Sequence, residues 1–179
     1  LPKTNRALEL QALFLAENPK PRNQRASLAD HPVSNAYTLA PYTFHPWFHD
    51  LVSRYNFYDL FLIDGVTGEI IYTVSKEPEL GTSLLDGPYA SSRLGQLAQD
   101  IIKSPQRGMV SIADASFYAP SGNAPAMFIA TPVYSNWKFM GVVAAQISTE
   151  ALSSFMTNNG GWRADGLGDT GELYLAGED

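Results

Sequence analysis

Apolar positions along the chain follow two periods in turn, the helical one first. From Thr4 to Glu17 ("TNRALELQALFLAE") Ala, Leu, Glu and Gln dominate. Leu8, Leu10, Leu13, Phe14 and Leu15 form a broad apolar face there, which predicts a helix stopped by Asn18 and Pro19. The stretch up to Phe44 is broken by prolines at 19, 21, 32 and 41 and predicts only short helical turns draped over a core. A second helix is expected over "HPWFHDLVSRYN", with Pro46 in its first turn and Trp47, Phe48, Leu51, Val52 and Tyr55 on one face.

The pattern then changes. "FYDLFLIDGVTGEIIYTV" holds two apolar, partly β-branched runs around Asp64-Gly65-Val66-Thr67-Gly68, which predicts a hairpin. "SKEPELGTSLLDGPYA" reads as loop, and "SSRLGQLAQDIIKS" as a helix with Leu94, Leu97, Ala98, Ile101 and Ile102 on one side. Strands over Met109–Ala113, Ala126–Tyr134 and Lys138–Ile147, joined by "APSGNAP" and "YSNWK", predict an antiparallel meander. "STEALSSFM" closes the series as a helix capped by Ser148 or Thr149. Five strands with helices grouped on one face make an α+β layer pair.

Three segments follow from this reading: a helix and helical crossover over 1–43, an α+β domain over 44–157, and a tail over 158–179. The Gly- and Asn-rich "TNNGGWRADGLGDTG" marks the last boundary. "LYLAGED" after it echoes "LFLIDGV" at Leu60–Val66, so Leu173–Ala176 is expected to open a second domain of the same kind. A chain of 179 residues with 45% hydrophobic and 17% charged residues can bury a core without metal or disulfide staples. A net charge of −6 and no basic stripe argue against a nucleic-acid partner. The absence of cysteine removes thiol catalysis, and no apolar run approaches the roughly 18 residues of a membrane span.

Chemistry-bearing patterns are few. His45 and His49 stand at i,i+4 beside Asp50, yet Trp47 and Phe48 fill the place of a zinc-protease Glu, and Pro46 puts His45 at a helix cap. His31 lies in a loop. No Gly-x-Ser-x-Gly elbow or phosphate loop is present, and Asp59, Asp64 and Asp114 read as strand-edge or turn residues, so no catalysis, metal or cofactor is expected. A binding pocket is a better fit, needing an apolar wall and a few fixed polar groups. The candidates are Tyr89 in the loop, Asp114, Phe117 and Tyr118 at the end of the first meander strand, Thr131 in the next, and Gln146 interrupting "VVAAQI". Each also has an ordinary packing role open to it, and alternation alone does not choose the face.

"HPWFHDLVSRYNFYDLFLIDGVTGEIIYTVSKEPELGTSLLDGPYA", "YAPSGNAPAMFIATPVY", "GVVAAQI" and "GLGDTGELYLAGED", in that order, resemble the Cache family of PAS-like extracytoplasmic sensor domains of bacterial membrane receptors. The resemblance implies a PAS-like, five-stranded antiparallel sheet with a long N-terminal helix, forming the membrane-distal half of a double module. It implies periplasmic placement in an inner-membrane protein whose output is a histidine kinase, a chemotaxis module or a nucleotide cyclase. The ligand is expected against the sheet under Ser75–Ser92. Amino-acid-binding members share an Arg-x-Trp-Tyr stretch, a strand Tyr and a last-strand Asp. Here "DGPYASS" keeps only Tyr89, Tyr118 stands for the strand Tyr, and Gln146 replaces the Asp. An α-amino acid is therefore not expected as ligand; a neutral metabolite, or a small acid met by Lys76 or Arg93, is. The apolar face of the first helix predicts a parallel homodimer. The rival expectation is a ligand-free interaction or spacer module.

Overall fold

The computed structural model describes residues 4–27 and 36–161, with Arg163, Ala164, Gly166 and Gly168. His31 and the expected tail strand Leu173–Ala176 lie outside the described residues. Helix α1 (Asn5–Gln11) is capped by Thr4, whose side chain accepts from the Ala7 amide, and it runs on into a π-helical turn over Ala12–Ala16. Its apolar face is spent inside this domain: Ala7, Leu10, Leu13 and Phe14 are buried, while Leu8 stays 53% exposed. A 3-10 turn over Arg22–Ser27 follows.

Helix α2 is longer than the sequence implied. It spans Ala36–Tyr55 and runs through Pro41 and Pro46, which places His45 in its interior and not at a cap. Each proline removes one helical hydrogen bond. Tertiary contacts outweigh that loss: Phe48, Leu51 and Val52 pack against Leu60, Tyr72 and Val74. His45 is fixed at both ring nitrogens, Nδ1 lying 2.6 Å from the Tyr72 hydroxyl and Nε2 2.8 Å from the Ala26 carbonyl.

Strands β1 (Phe57–Asp64), β2 (Ile70–Thr73), β3 (Ser111–Tyr118), β4 (Ala124–Ser135) and β5 (Lys138–Ile147) form one antiparallel sheet in the order β2-β1-β5-β4-β3. The PAS-like α+β class expected from the sequence is the one found. The first meander strand was expected over Met109–Ala113, but β3 reaches Tyr118. Its register shifts between Ala113 and Ser116, and this bulge breaks the alternation that would have revealed the longer strand. Helices α3 (Arg93–Lys103) and α4 (Thr149–Met156) are capped by Ser92 and Ser148.

Helices cover both faces of the sheet, which corrects the single-face expectation. The reason lies in β1, where Leu60-Phe61-Leu62-Ile63 is apolar on both sides of the pleat. Phe61 and Ile63 meet α1 and α3 in the main core, together with Phe128, Ala130, Val142 and Ala144. Leu60 and Leu62 turn to α2 on the other side. The connection after β2 lies on the main-core side and contributes Leu80 and Leu84. It approaches α1 most closely at Gly81 (φ +77°), where an added Cβ would stand 2.9 Å from the Ala7 carbonyl oxygen. Only glycine allows both that backbone angle and that contact.

Candidate functional site

Pairing across the sheet fixes which side chains share the main-core face. Asp59 is opposite Gln146, and Gln146 is opposite Phe128, so all three join Phe61 and Ala144 on that face. Asp59 is fully buried. Its carboxylate accepts from the amides of Leu60, Val74 and Ser75 at 2.7–2.9 Å and from the Thr73 hydroxyl at 2.8 Å. These bonds turn the chain out of β2 into the connection. Burial pushes its pKa up to about 7, with the Ser75, Thr73 and Leu60 donors opposing the rise.

The connection then delivers further charged groups in sequence. Lys76 is buried with φ +54°, its ammonium donating to the Val74 carbonyl at 3.2 Å. Burial pulls its pKa down to about 8, against the pull of Asp59. Glu77 pairs with Arg22 at 3.0 Å and accepts from Tyr58 at 3.1 Å and from Ser121 at 3.0 Å. Arg22 also donates to the Pro120 carbonyl. Beyond Pro78, Glu79 is 0% exposed, and neither of its oxygens has a hydrogen-bond partner among the described residues. Burial, then the charges of Asp59 and Glu77, hold its carboxyl well above the usual carboxylate range.

Tyr118 lies alongside. It is 1% exposed, and its hydroxyl has no partner among the described residues. Burial and the neighbouring charge of Glu79, then those of Asp59 and Glu77, raise its pKa well above the ordinary tyrosine value. Its ring packs edge-on to Phe128 at 5.0 Å and tilted to Tyr89 at 6.3 Å. Ser121 bridges Glu77 to the Gln146 carbonyl oxygen, 3.1 Å away. One hydroxyl proton thus serves two acceptors, Glu77 and Gln146. Outside this wall opens a cleft of about 540 Å3 lined by Arg22, Tyr58, Ser75, Glu77 and Ser121.

The structure brings Tyr89, Tyr118 and Gln146 together and separates the other expected residues from them. Thr131 belongs to the opposite face, donating to the Met109 carbonyl at 2.7 Å. Phe117 is on that face too, 73% exposed, and Asp114 sits exposed at the β3 bulge, accepting from the Ala115 amide. Arg93 is exposed, and Lys76 is committed to the backbone. Asp59, Glu77, Glu79 and Ser121 were not anticipated. A signal for Asp59 existed, since period two puts it in line with Phe61 and Ile63. Replacement of the last-strand Asp by Gln146 does not leave the face without carboxylates, because β1 and the connection supply them.

His45 has no ring nitrogen left for a metal, and its ring centroid lies 6.0 Å from that of His49. Among the described residues no group of three or more His, Asp or Glu side chains is placed to hold a metal ion, and no helix is long and apolar enough to cross a membrane.

No protein family and no curated protein matches the sequence. Among solved structures, the chain is similar to the ligand-binding domain of the Pseudomonas aeruginosa amino acid chemoreceptor PctC in complex with GABA, at 15% identity and a TM-score of 0.45, covering 90% of this chain and 64% of that one. It is similar to the ligand-binding domain of the Pseudomonas fluorescens chemoreceptor CtaA in complex with L-valine, at 17% identity and a TM-score of 0.43, covering 86% and 55%. A third is the V. cholerae histidine kinase DctB sensor domain, at 16% identity and a TM-score of 0.45, covering 83% and 55%. The chain thus spans between about half and two thirds of the length of these structures.

Proposed function

We propose that this chain is a small-molecule sensor domain, the extracytoplasmic part of a bacterial transmembrane signalling receptor, with no catalysis of its own. The observation that carries this reading is the cleft beside Glu77 and Ser121, backed by buried polar atoms that lack partners at Glu79 and Tyr118. Buried polar groups are nearly always satisfied in a finished core, so convergent unsatisfied ones beside a cleft fit a binding site. The sequence resemblance to Cache sensors supports the placement and the output, a histidine kinase, chemotaxis module or nucleotide cyclase.

The connection that carries the site is stitched to the N-terminal segment. Gln11 donates to the Leu80 carbonyl at 2.8 Å, Arg6 pairs with Glu69 at 3.1 Å, and Arg22 pairs with Glu77. A ligand bridging connection and sheet stabilises the arrangement in which these contacts are made. The difference in its affinity between open and closed states biases α1 and α4 by that amount and no more. An α-amino acid is a poor fit, because Arg22 is already held by Glu77 and Pro120, and Arg93 is exposed. Self-association through α1 would use the face around Leu8, since Leu13 is buried in the domain.

One observation favours a rival, an interaction or spacer module: Val110, Ile112 and Phe117 leave an exposed apolar strip beside and along β3. A thermal-shift screen of the isolated domain separates the two. Neutral metabolites, organic acids, amines and amino acids are offered at millimolar concentration. A sensor is expected to show a compound that raises Tm by several degrees, as about 3 kcal/mol of linkage at a hundredfold excess over Kd implies. The effect should vanish in Gln146→Ala. No response to any class would leave the spacer reading in its place.

A further inference from the structure

Resting on that sensor reading, we propose that the ligand is a small organic monocation, a primary amine without an α-carboxylate, whose ammonium group is held between Glu79 and Tyr118. The acids and bases of the main-core face do not balance. Asp59, Glu77 and Glu79 are buried there, and the cations that accompany them are Arg22 and Lys76. Arg22 is taken by Glu77. Lys76 donates to the Val74 carbonyl beneath the Phe14 ring, and its charge interacts with Asp59, which itself accepts from several donors. Glu79 is left over, fully buried, with two oxygens lacking partners among the described residues.

Tyr118 is an independent sign of the same vacancy. Its hydroxyl is also buried and unpartnered among the described residues, and Glu79 is the nearest charge that acts on it. A primary ammonium carries the donors that these atoms lack, enough for both oxygens of Glu79 and for the Tyr118 hydroxyl oxygen. Tyr118, Tyr89 and Phe128 add aromatic surface beside that position, which favours a cation over a neutral group. A metal ion would need more ligands than converge here. A carboxylate on the same ligand would meet Asp59 and Glu77 with no free guanidinium to receive it. In the empty site, burial and the charges of Asp59 and Glu77 favour a protonated Glu79, with Arg22 opposing; ammonium binding therefore expels a proton.

The test uses alkyl- and arylalkylamines, n-butylamine first. Its comparators are n-butanol, butyrate and norvaline, which is n-butylamine carrying an α-carboxylate. Thermal shift and calorimetry should show amine binding in the millimolar range or tighter, with each comparator weaker by about tenfold or more. Calorimetry in buffers of different ionisation enthalpy should show about one proton released per amine bound. Glu79→Gln should abolish amine binding while the unliganded Tm holds or rises. Tyr118→Phe should keep the fold and weaken binding by about tenfold. Amine binding unchanged in Glu79→Gln, norvaline binding as tightly as n-butylamine, or no amine binding up to about 10 mM would each overturn the inference. If an acid or neutral metabolite binds where amines do not, the cation fails and the sensor reading stands; if nothing binds, both fall.

Discussion

Asp59→Asn should flatten the pH dependence of stability across the acid range. In the folded protein the carboxyl titrates at about 7, against 3.8 when it is free of its surroundings. Between those values the folded state holds a proton that the unfolded state has released. The group therefore stabilises the fold most at low pH, and that contribution is lost as pH rises from about 4 through 7. A shift of roughly 3 units corresponds to at most about 4 kcal/mol. Asparagine has no such proton. Its Oδ1 can keep the Val74 and Ser75 amides, while its amide faces Thr73 Oγ1, which already accepts from the Lys76 amide at 2.9 Å. That mismatch costs about 1 kcal/mol at every pH. Urea unfolding of both proteins across the range gives the difference in stability, variant minus wild type, which should rise by several kcal/mol from about pH 4 to pH 8. His45, lowered to about 4 by burial, removes stability as pH falls through its range, but it does so in both proteins and cancels. Glu79 is raised partly by Asp59, so its relaxation in the variant adds to the same trend. Parallel curves would show that Asp59 is not a buried carboxyl of the folded state.

Leu13→Glu should cost at least about 3 kcal/mol in a urea titration, because it places a carboxylate in the core at a site only 8% exposed. Leu8→Glu should change stability by no more than about 0.5 kcal/mol, which makes it the variant for reading self-association by sedimentation; a stable Leu13→Glu protein would refute the placement of α1. Gly141→Ala should cost about 2–3 kcal/mol, since its Cβ would lie 2.1 Å from the Ile63 carbonyl oxygen; no loss would contradict the pairing of β1 with β5.

Local signals carried most of the fold. Asp64 and Gly68 mark the hairpin, Ser92 and Ser148 mark helix starts, and period two marks β4 and β5. What escaped was decided at a distance. Pro41 and Pro46 read locally as boundaries, yet α2 continues through both because its far half is anchored on the sheet. The site was only half legible for the same reason. Tyr118 and Gln146 stand out as polar positions within apolar runs, whereas Glu77 and Glu79 look like solvated loop residues in "SKEPEL". Only the return of that loop over the core, pinned by Leu80 and Leu84, buries them. Thr131 and Phe117 were included because sequence does not say which side of a strand faces the pocket.

The approach of Gly81 to Ala7 has a consequence for how this protein can change over evolutionary time. Position 81 is held to glycine by its left-handed backbone and by the carbonyl 2.9 Å from where a Cβ would be. The Ala7 Cβ itself lies 3.3 Å from that point, so residue 7 has room for little beyond a methyl group. The two positions are 74 residues apart in sequence, yet neither can grow while the other stays as it is. A lineage that enlarges residue 7 must re-seat the whole connection, and with it Glu77 and Glu79. In an alignment of relatives, size at these two positions should therefore vary jointly, and a bulky residue at 7 should mark a branch whose ligand has changed.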